Sequence, residues 1–170
     1  VGYQSLQALT TGASNTAVGR LAGNDITEGD FNTFIGRQAG EKTTTPSGNT
    51  AVGYIALQEN TTGALNVAIG QEALQKSTTA SNNVAVGYQA LEENTTGANN
   101  TGLGDQAGAN ITTGSNNLFL GHDAGMSGSP GGSITTGSNE IILGDENITE
   151  AHIQVDWTVA SDKRDKADVE

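Results

Sequence analysis

Asn49-Thr50-Ala51-Val52-Gly53-Tyr54-Ile55-Ala56-Leu57 is the stretch that decides the fold, because most of the chain is a copy of it. Its glycine recurs at Gly2, Gly19, Gly36, Gly53, Gly70, Gly87, Gly104 and Gly121, always 17 residues apart. It returns once more at Gly144 after 23 residues, which is 17 plus an insertion of 6. A supersecondary unit repeated at fixed period marks a solenoid, whose units bury a core only by stacking on one another. We therefore expect an all-β chain, a left-handed-type β-solenoid or β-roll with one 17-residue coil per copy.

Several columns of the repeat hold one chemistry. Four residues before the glycine stand Asn15, Asn32, Asn49, Asn66, Asn83, Asn100 and Asn117, with Glu140 breaking the column in the last copy. A buried Asn at a corner can bond the backbone of neighbouring coils, so these seven are expected to form a structural ladder. Immediately before the glycine stand only Val, Ile and Leu, from Val1 to Leu143, and these are expected to fill the inside. Three residues after it, Ala22 to Ala124 would allow close approach of the walls, and the next position is Leu or Gly. A second glycine column, seven residues before the first, runs from Gly12 to Gly137 with Pro46 and Ala80 as exceptions, and implies a second corner. The residue after the core glycine varies freely, which places Tyr3, Tyr54, Tyr88 and His122 outside. Those tyrosines could stack on sugars or cover the strand beneath.

Apolar content of 34% and aromatic content of 4% are thin for a globular core. Seventeen residues at about 3.3 Å each make a perimeter of roughly 56 Å, enough for one layer of side chains between two walls. Such a chain needs neighbours, and a homotrimer with the solenoids packed around an axis is the expected remedy. The net charge of −12 argues against nucleic acid or an anionic membrane as partner. Cysteine is absent, so disulfides play no part. No apolar run is long enough to span a bilayer and there is no signal-peptide pattern. Val1 enters part-way through a copy, so we expect a longer parent chain in which a targeting segment could precede it.

Along the chain, residues 1–147 form the repeat array, with a flexible surface loop expected near 126–132, where Met126-Ser127-Gly128-Ser129-Pro130-Gly131-Gly132 carries the insertion. Polar linkers such as Asn60-Thr61-Thr62-Gly63 join the repeat cores, with Thr suited to exposed strand edges. Residues 148–160 change rule: Ile153, Val155, Trp157 and Val159 alternate with polar residues, the pattern of a strand buried on one face. Residues 161–170 are charged, and on composition alone they read as a solvated junction or a first helical turn capped by Ser161.

The Asn-Thr-Ala-Val-Gly-Tyr-type repeats resemble those of phage tail fibres and, more distantly, the heads of trimeric autotransporter adhesins. Ser161-Asp162-Lys163-Arg164-Asp165-Lys166 resembles the start of the C-terminal intramolecular chaperone that such fibres carry and then cut off. The resemblance implies a homotrimeric, host-surface-binding shaft or tip on the virion, with a cell-surface glycan or protein as receptor. It also implies self-cleavage between Ser161 and Asp162, with Ser161 as nucleophile and Lys166 as its base. Serine needs a proton acceptor, and a lysine serves if burial lowers its pKa. That reaction would be a single turnover and would require the downstream domain.

The nearest alternative is the head of a bacterial surface adhesin, placed on the cell surface instead of the virion. A solenoid polysaccharide-degrading enzyme is a third reading, but no paired carboxylates recur on one face, and His122 and His152 stand isolated in the sequence. The Gly-Gly-x-Gly-x-Asp spacing of calcium-binding arrays is missing, so no metal and no cofactor are expected. Ice binding by a threonine ladder is conceivable but disfavoured by the interruption at 126–132.

Overall fold

The computed structural model describes residues 1–150 and residue 152. It is a β-solenoid: one three-residue strand per coil, at Thr16–Val18 (β1), Thr33–Ile35 (β2), Thr50–Val52 (β3), Val67–Ile69 (β4), Val84–Val86 (β5), Thr101–Leu103 (β6), Leu118–Leu120 (β7) and Ile141–Leu143 (β8). The strands pair in parallel and in chain order, β1 to β8, as one sheet. Each residue faces the one a full repeat later, as Ala51 faces Ala68, until β7 and β8, where Phe119 faces Ile142 across the insertion. No other regular element occurs among the described residues. The remainder of each coil turns back, held by backbone bonds to adjacent coils such as Leu57 N–H to Ala73 C=O, 2.9 Å.

The asparagines bring order to this irregular backbone. Each side-chain oxygen accepts the backbone N–H of the residue in the same column one coil ahead, at 2.8–3.0 Å from Asn15 to Asn117. Each side-chain amide donates to a carbonyl in the second glycine column of the next coil, at 2.6–3.0 Å. Asn32, Asn49, Asn66, Asn83 and Asn100 are wholly buried. The ladder thus satisfies polar backbone that a turn leaves unpaired and water cannot reach. Glu140 ends it, still donating its N–H to Asn117.

The orientation of the strand reverses one expectation. Val18, Ile35, Ile69, Val86, Leu120 and Leu143, expected inside, point outward and are 36–45% exposed. The middle residue of each strand points in instead, and Ala51, Ala68 and Ala85 are wholly buried. Parity is the reason. Side chains alternate along a strand, so burying the asparagine just before it turns the residue two places on inward and the residue three places on outward.

Space decides the rest of the core. Phe34 and Phe119 are wholly buried in the column otherwise held by alanine, glycine or, in β8, isoleucine. They fit because Gly23 and Gly40 flank the first, and Gly108 and Gly125 the second. A methyl group at Gly23 would sit 2.6 Å from the Phe34 ring, and at Gly108 2.6 Å from Phe119. In the coils of Ala51, Ala68 and Ala85, Leu57, Leu74 and Leu91 take that glycine position and fill the same space.

Three further expectations change. The second glycine column turns without positive φ, as its exceptions Pro46 and Ala80 allow; at Gly12, Gly29, Gly63, Gly97 and Gly114 a Cβ would collide with the carbonyl of the coil ahead. The left-handed corner lies two residues later, where Ser14, Phe31, Leu65, Asn82, Asn99, Asn116 and Asn139 have φ of 57–65°. The threonines of the linkers are not strand edges. From Thr10 to Thr112, one per coil, each donates its hydroxyl to the carbonyl of the threonine in the next coil at 2.8–3.3 Å. The insertion, finally, is not an open excursion. Buried Ser129 accepts the N–H of Gly125 at 2.8 Å and donates to the Met126 carbonyl at 2.9 Å, while Ile134 returns to the Gly125 carbonyl at 2.9 Å.

Candidate functional site

The outward side of the sheet is a continuous surface along the rod, from β1 to β8. Two side-chain columns line it, the first residues of the strands (Thr16, Thr33, Thr50, Val67, Val84, Thr101, Leu118, Ile141) and the last (Val18 to Leu143). Neither contains a charged residue, although the chain carries −12. With strands about 4.8 Å apart the stripe runs roughly 34 Å along the rod. It grows more apolar toward β8, as threonine gives way to valine, leucine and isoleucine. Phe31 and Leu65, 69% and 61% exposed, widen it at the adjoining corner. Both have positive φ in a column that otherwise holds serine, glycine or asparagine, so a bulky apolar residue there adds local strain.

Beside the C-terminal end of the stripe lies a groove of about 370 Å³, lined by Asn99, Thr101, Asn116, Asn117, Leu118, Asn139, Glu140 and Ile141. Two of its corner amides are linked, Asn116 donating to Asn139 at 2.9 Å. The lining therefore offers both aliphatic surface and oriented amides.

Apart from Glu140 in that groove, the charged groups considered next lie outside the two strand columns. Lys42 reaches Glu59 one coil ahead at 2.5 Å, and Lys76 reaches Glu93 in the same way; both ammonium groups are pushed up from the ordinary lysine value, mainly by these bonds. Both pairs are exposed, so they contribute little to stability. The column after the core glycine is outside, as expected, with Tyr3, Tyr54 and Tyr88 at 68%, 40% and 43% exposure. Arg20 lies over Tyr3 and Arg37 over Tyr54, with the guanidinium 5.9 and 5.3 Å from the ring centre. Each of those rings already has a cationic partner.

His122 is isolated in the sequence but not in the fold. It shares its column with Asp145, the two being 23 residues apart, and its Nδ1 lies 3.4 Å from Asp145 Oδ2 and 3.4 Å from Asp123 Oδ2. Asp145 is held below the usual carboxylate range, first by hydrogen bonds from the Asn147 side chain and backbone and further by His122. His152 Nε2 is 3.3 Å from Glu150 Oε2 in the open. The expected cleavage residues Ser161, Asp162 and Lys166, and the strand expected from Ile153 to Val159, lie outside the described residues.

Comparison with protein-family models, curated proteins and solved structures finds no match to this chain. No helix of the described residues is long and apolar enough to cross a membrane.

Proposed function

We propose that the chain is a host-surface-binding shaft or tip segment of a homotrimeric phage tail fibre. The observation that carries this reading is the uncharged stripe on the outside of the sheet. An uncharged stripe with one continuous aliphatic column, from Val18 to Leu143, is the kind of exposed surface that marks a contact. Two further copies of the same chain are the fitting occupants. Their stripes share the same spacing and length, so every rung meets an equivalent rung, and the charges that would repel lie on the faces turned outward. Phe31 and Leu65, costly where they stand in a lone chain, then gain partners. The groove beside Asn116 and Asn139 remains at the edge and suits a sugar ring, which takes both amide hydrogen bonds and aliphatic contact.

The association is tested by the molar mass of the chain in sedimentation equilibrium. A trimer is expected for the parent, and monomers for Ile69→Glu, which would bring three carboxylates together in a low-dielectric seam. Thr79→Glu, placed in an exposed column that already contains Glu28, should leave the trimer intact. A monomeric parent sinks the trimer, and an Ile69→Glu variant that stays trimeric sinks the stripe as its seam.

Maturation is the second part of the proposal, resting on resemblance at Ser161-Asp162 and Lys166. Expressed with the downstream region that the resemblance implies, the parent should yield a product whose intact mass ends at Ser161. Ser161→Ala and Lys166→Ala should stay whole. If all three stay whole, the junction is a linker, and a bacterial surface adhesin head becomes the better reading of the same rod.

A further inference from the structure

We propose that His122, Asp123 and Asp145 form a binding site for one tetrahedral divalent transition ion of the Zn²⁺ class, joining the last coil to the coil before it. Sequence position hides this cluster, since Asp145 lies beyond the six-residue insertion. Stacking restores the register: Gly144 N–H bonds the Leu120 carbonyl at 2.7 Å, which carries the next residue, Asp145, onto His122.

The distances fit ligands better than they fit direct bonds. His122 Nδ1 stands 3.4 Å from one oxygen of each aspartate. A good N–H···O hydrogen bond spans about 2.7–3.2 Å. Two ligands bonded at about 2.0–2.2 Å to one tetrahedral ion lie about 3.3–3.5 Å apart. One ligand atom from each of the three residues can be chosen so that all lie within 4.8 Å of one another. The donor set, one imidazole nitrogen with two carboxylates, suits Zn²⁺; Ca²⁺ and Mg²⁺ prefer oxygen throughout and more ligands.

Two further observations point to a ligand. Asp123 Oδ1 is out of reach of solvent and has no hydrogen-bond donor, so the protein leaves one oxygen of the carboxylate that turns Oδ2 toward His122 without a partner. The three residues also face a cavity of about 190 Å³, bounded as well by Gln106, Met126 and Glu146. The insertion forms one wall, with Gly128 against the Glu146 carboxylate; a side chain at Gly128 would fill that place. Asn147 fixes the Asp145 carboxylate from behind, its N–H donating to Oδ1 at 3.0 Å and its side-chain amide to Oδ2 at 2.8 Å, as outer partners of metal ligands do. The fourth position is left to water or to Glu146.

The test uses the whole chain, stripped with a chelator and titrated with Zn²⁺ by calorimetry, with Co²⁺ as a spectroscopic probe. One Zn²⁺ per chain is expected, together with the intense visible absorption of tetrahedral Co²⁺. His122→Ala should abolish that binding, and because His122 is exposed the variant will fold. Asn147→Ala should weaken it about 10–100-fold. His152→Ala should bind as the parent does. Failure of the parent to bind, equal binding by His122→Ala, or displacement of Zn²⁺ by equimolar Ca²⁺ overturns the assignment. None of these outcomes depends on the chain being a trimer or on cleavage at Ser161.

Discussion

Phe34→Ala lowers the unfolding free energy by about 3–5 kcal/mol, the usual range for emptying a buried aromatic site. The backbone on either side is tied into the coil ladder, so the space cannot collapse. Gly40→Leu alone should also destabilise, by about 1–3 kcal/mol, because the leucine enters space the Phe34 ring already fills. Backbone strain adds little there: Gly40 has φ of 59°, and Leu57, Leu74 and Leu91 occupy the equivalent position at 51–54°. The two changes together recreate the alanine–leucine arrangement of the coil at Gly53. The double variant should therefore be more stable than Phe34→Ala alone, with a favourable coupling of about 2–3 kcal/mol. Denaturant unfolding followed by circular dichroism gives all four values of the cycle. Simple additivity would show that the phenylalanine and its glycines do not share one volume.

Asn66→Ala should cost about 2–6 kcal/mol, because it strands two groups at once at about 1–3 kcal/mol each. Asn83 N–H loses its acceptor, now at 3.0 Å, and the Ala80 carbonyl loses its donor, now at 2.8 Å. Both Asn66 and Asn83 are wholly buried, so water cannot take over. Asn66→Asp separates the two roles. It keeps an acceptor for Asn83 but sets an oxygen against the Ala80 carbonyl, and burial together with that oxygen raises the new carboxyl's pKa in the folded state. The folded protein then holds the proton more tightly than the unfolded chain. The deficit should therefore be smallest below about pH 4 and grow as pH rises through the folded-state value. An Asn66→Asp variant with a pH-independent deficit would mean that the side chain escapes the ladder.

How much of this could be read in advance turns on what each residue signals. The glycine period specifies the coil, the number of rungs and the register, because a position that needs positive φ and passes close to the carbonyl of the next coil admits nothing larger. The facing of the strand was not legible from hydrophobicity. Val86 is a stronger core candidate than Ala85 by composition, yet Ala85 is buried and Val86 is 36% exposed, because the asparagine two places before Ala85 sets the parity. That signal was present, since a buried polar ladder outranks a single apolar residue in deciding which side faces in. The exchange between Phe34 and its flanking glycines is also written in the chain, as is the 23-residue step from His122 to Asp145. Both become visible only once coils are laid over one another with the insertion taken out. Ser161 and Lys166 stay where they began, as an expectation from resemblance.

The parallel ladder also determines how such a rod carries load. Hydrogen bonds between coils run along the axis, so tension between the ends of a single chain loads them in series and the weakest rung opens first. A released coil of 17 residues yields roughly 60 Å of slack at about 3.5 Å per residue. The coil containing the insertion, with 23 residues, yields roughly 80 Å. A single chain under tension would therefore lengthen in even steps with one longer step near the C-terminal end, like a shock absorber whose links part in sequence.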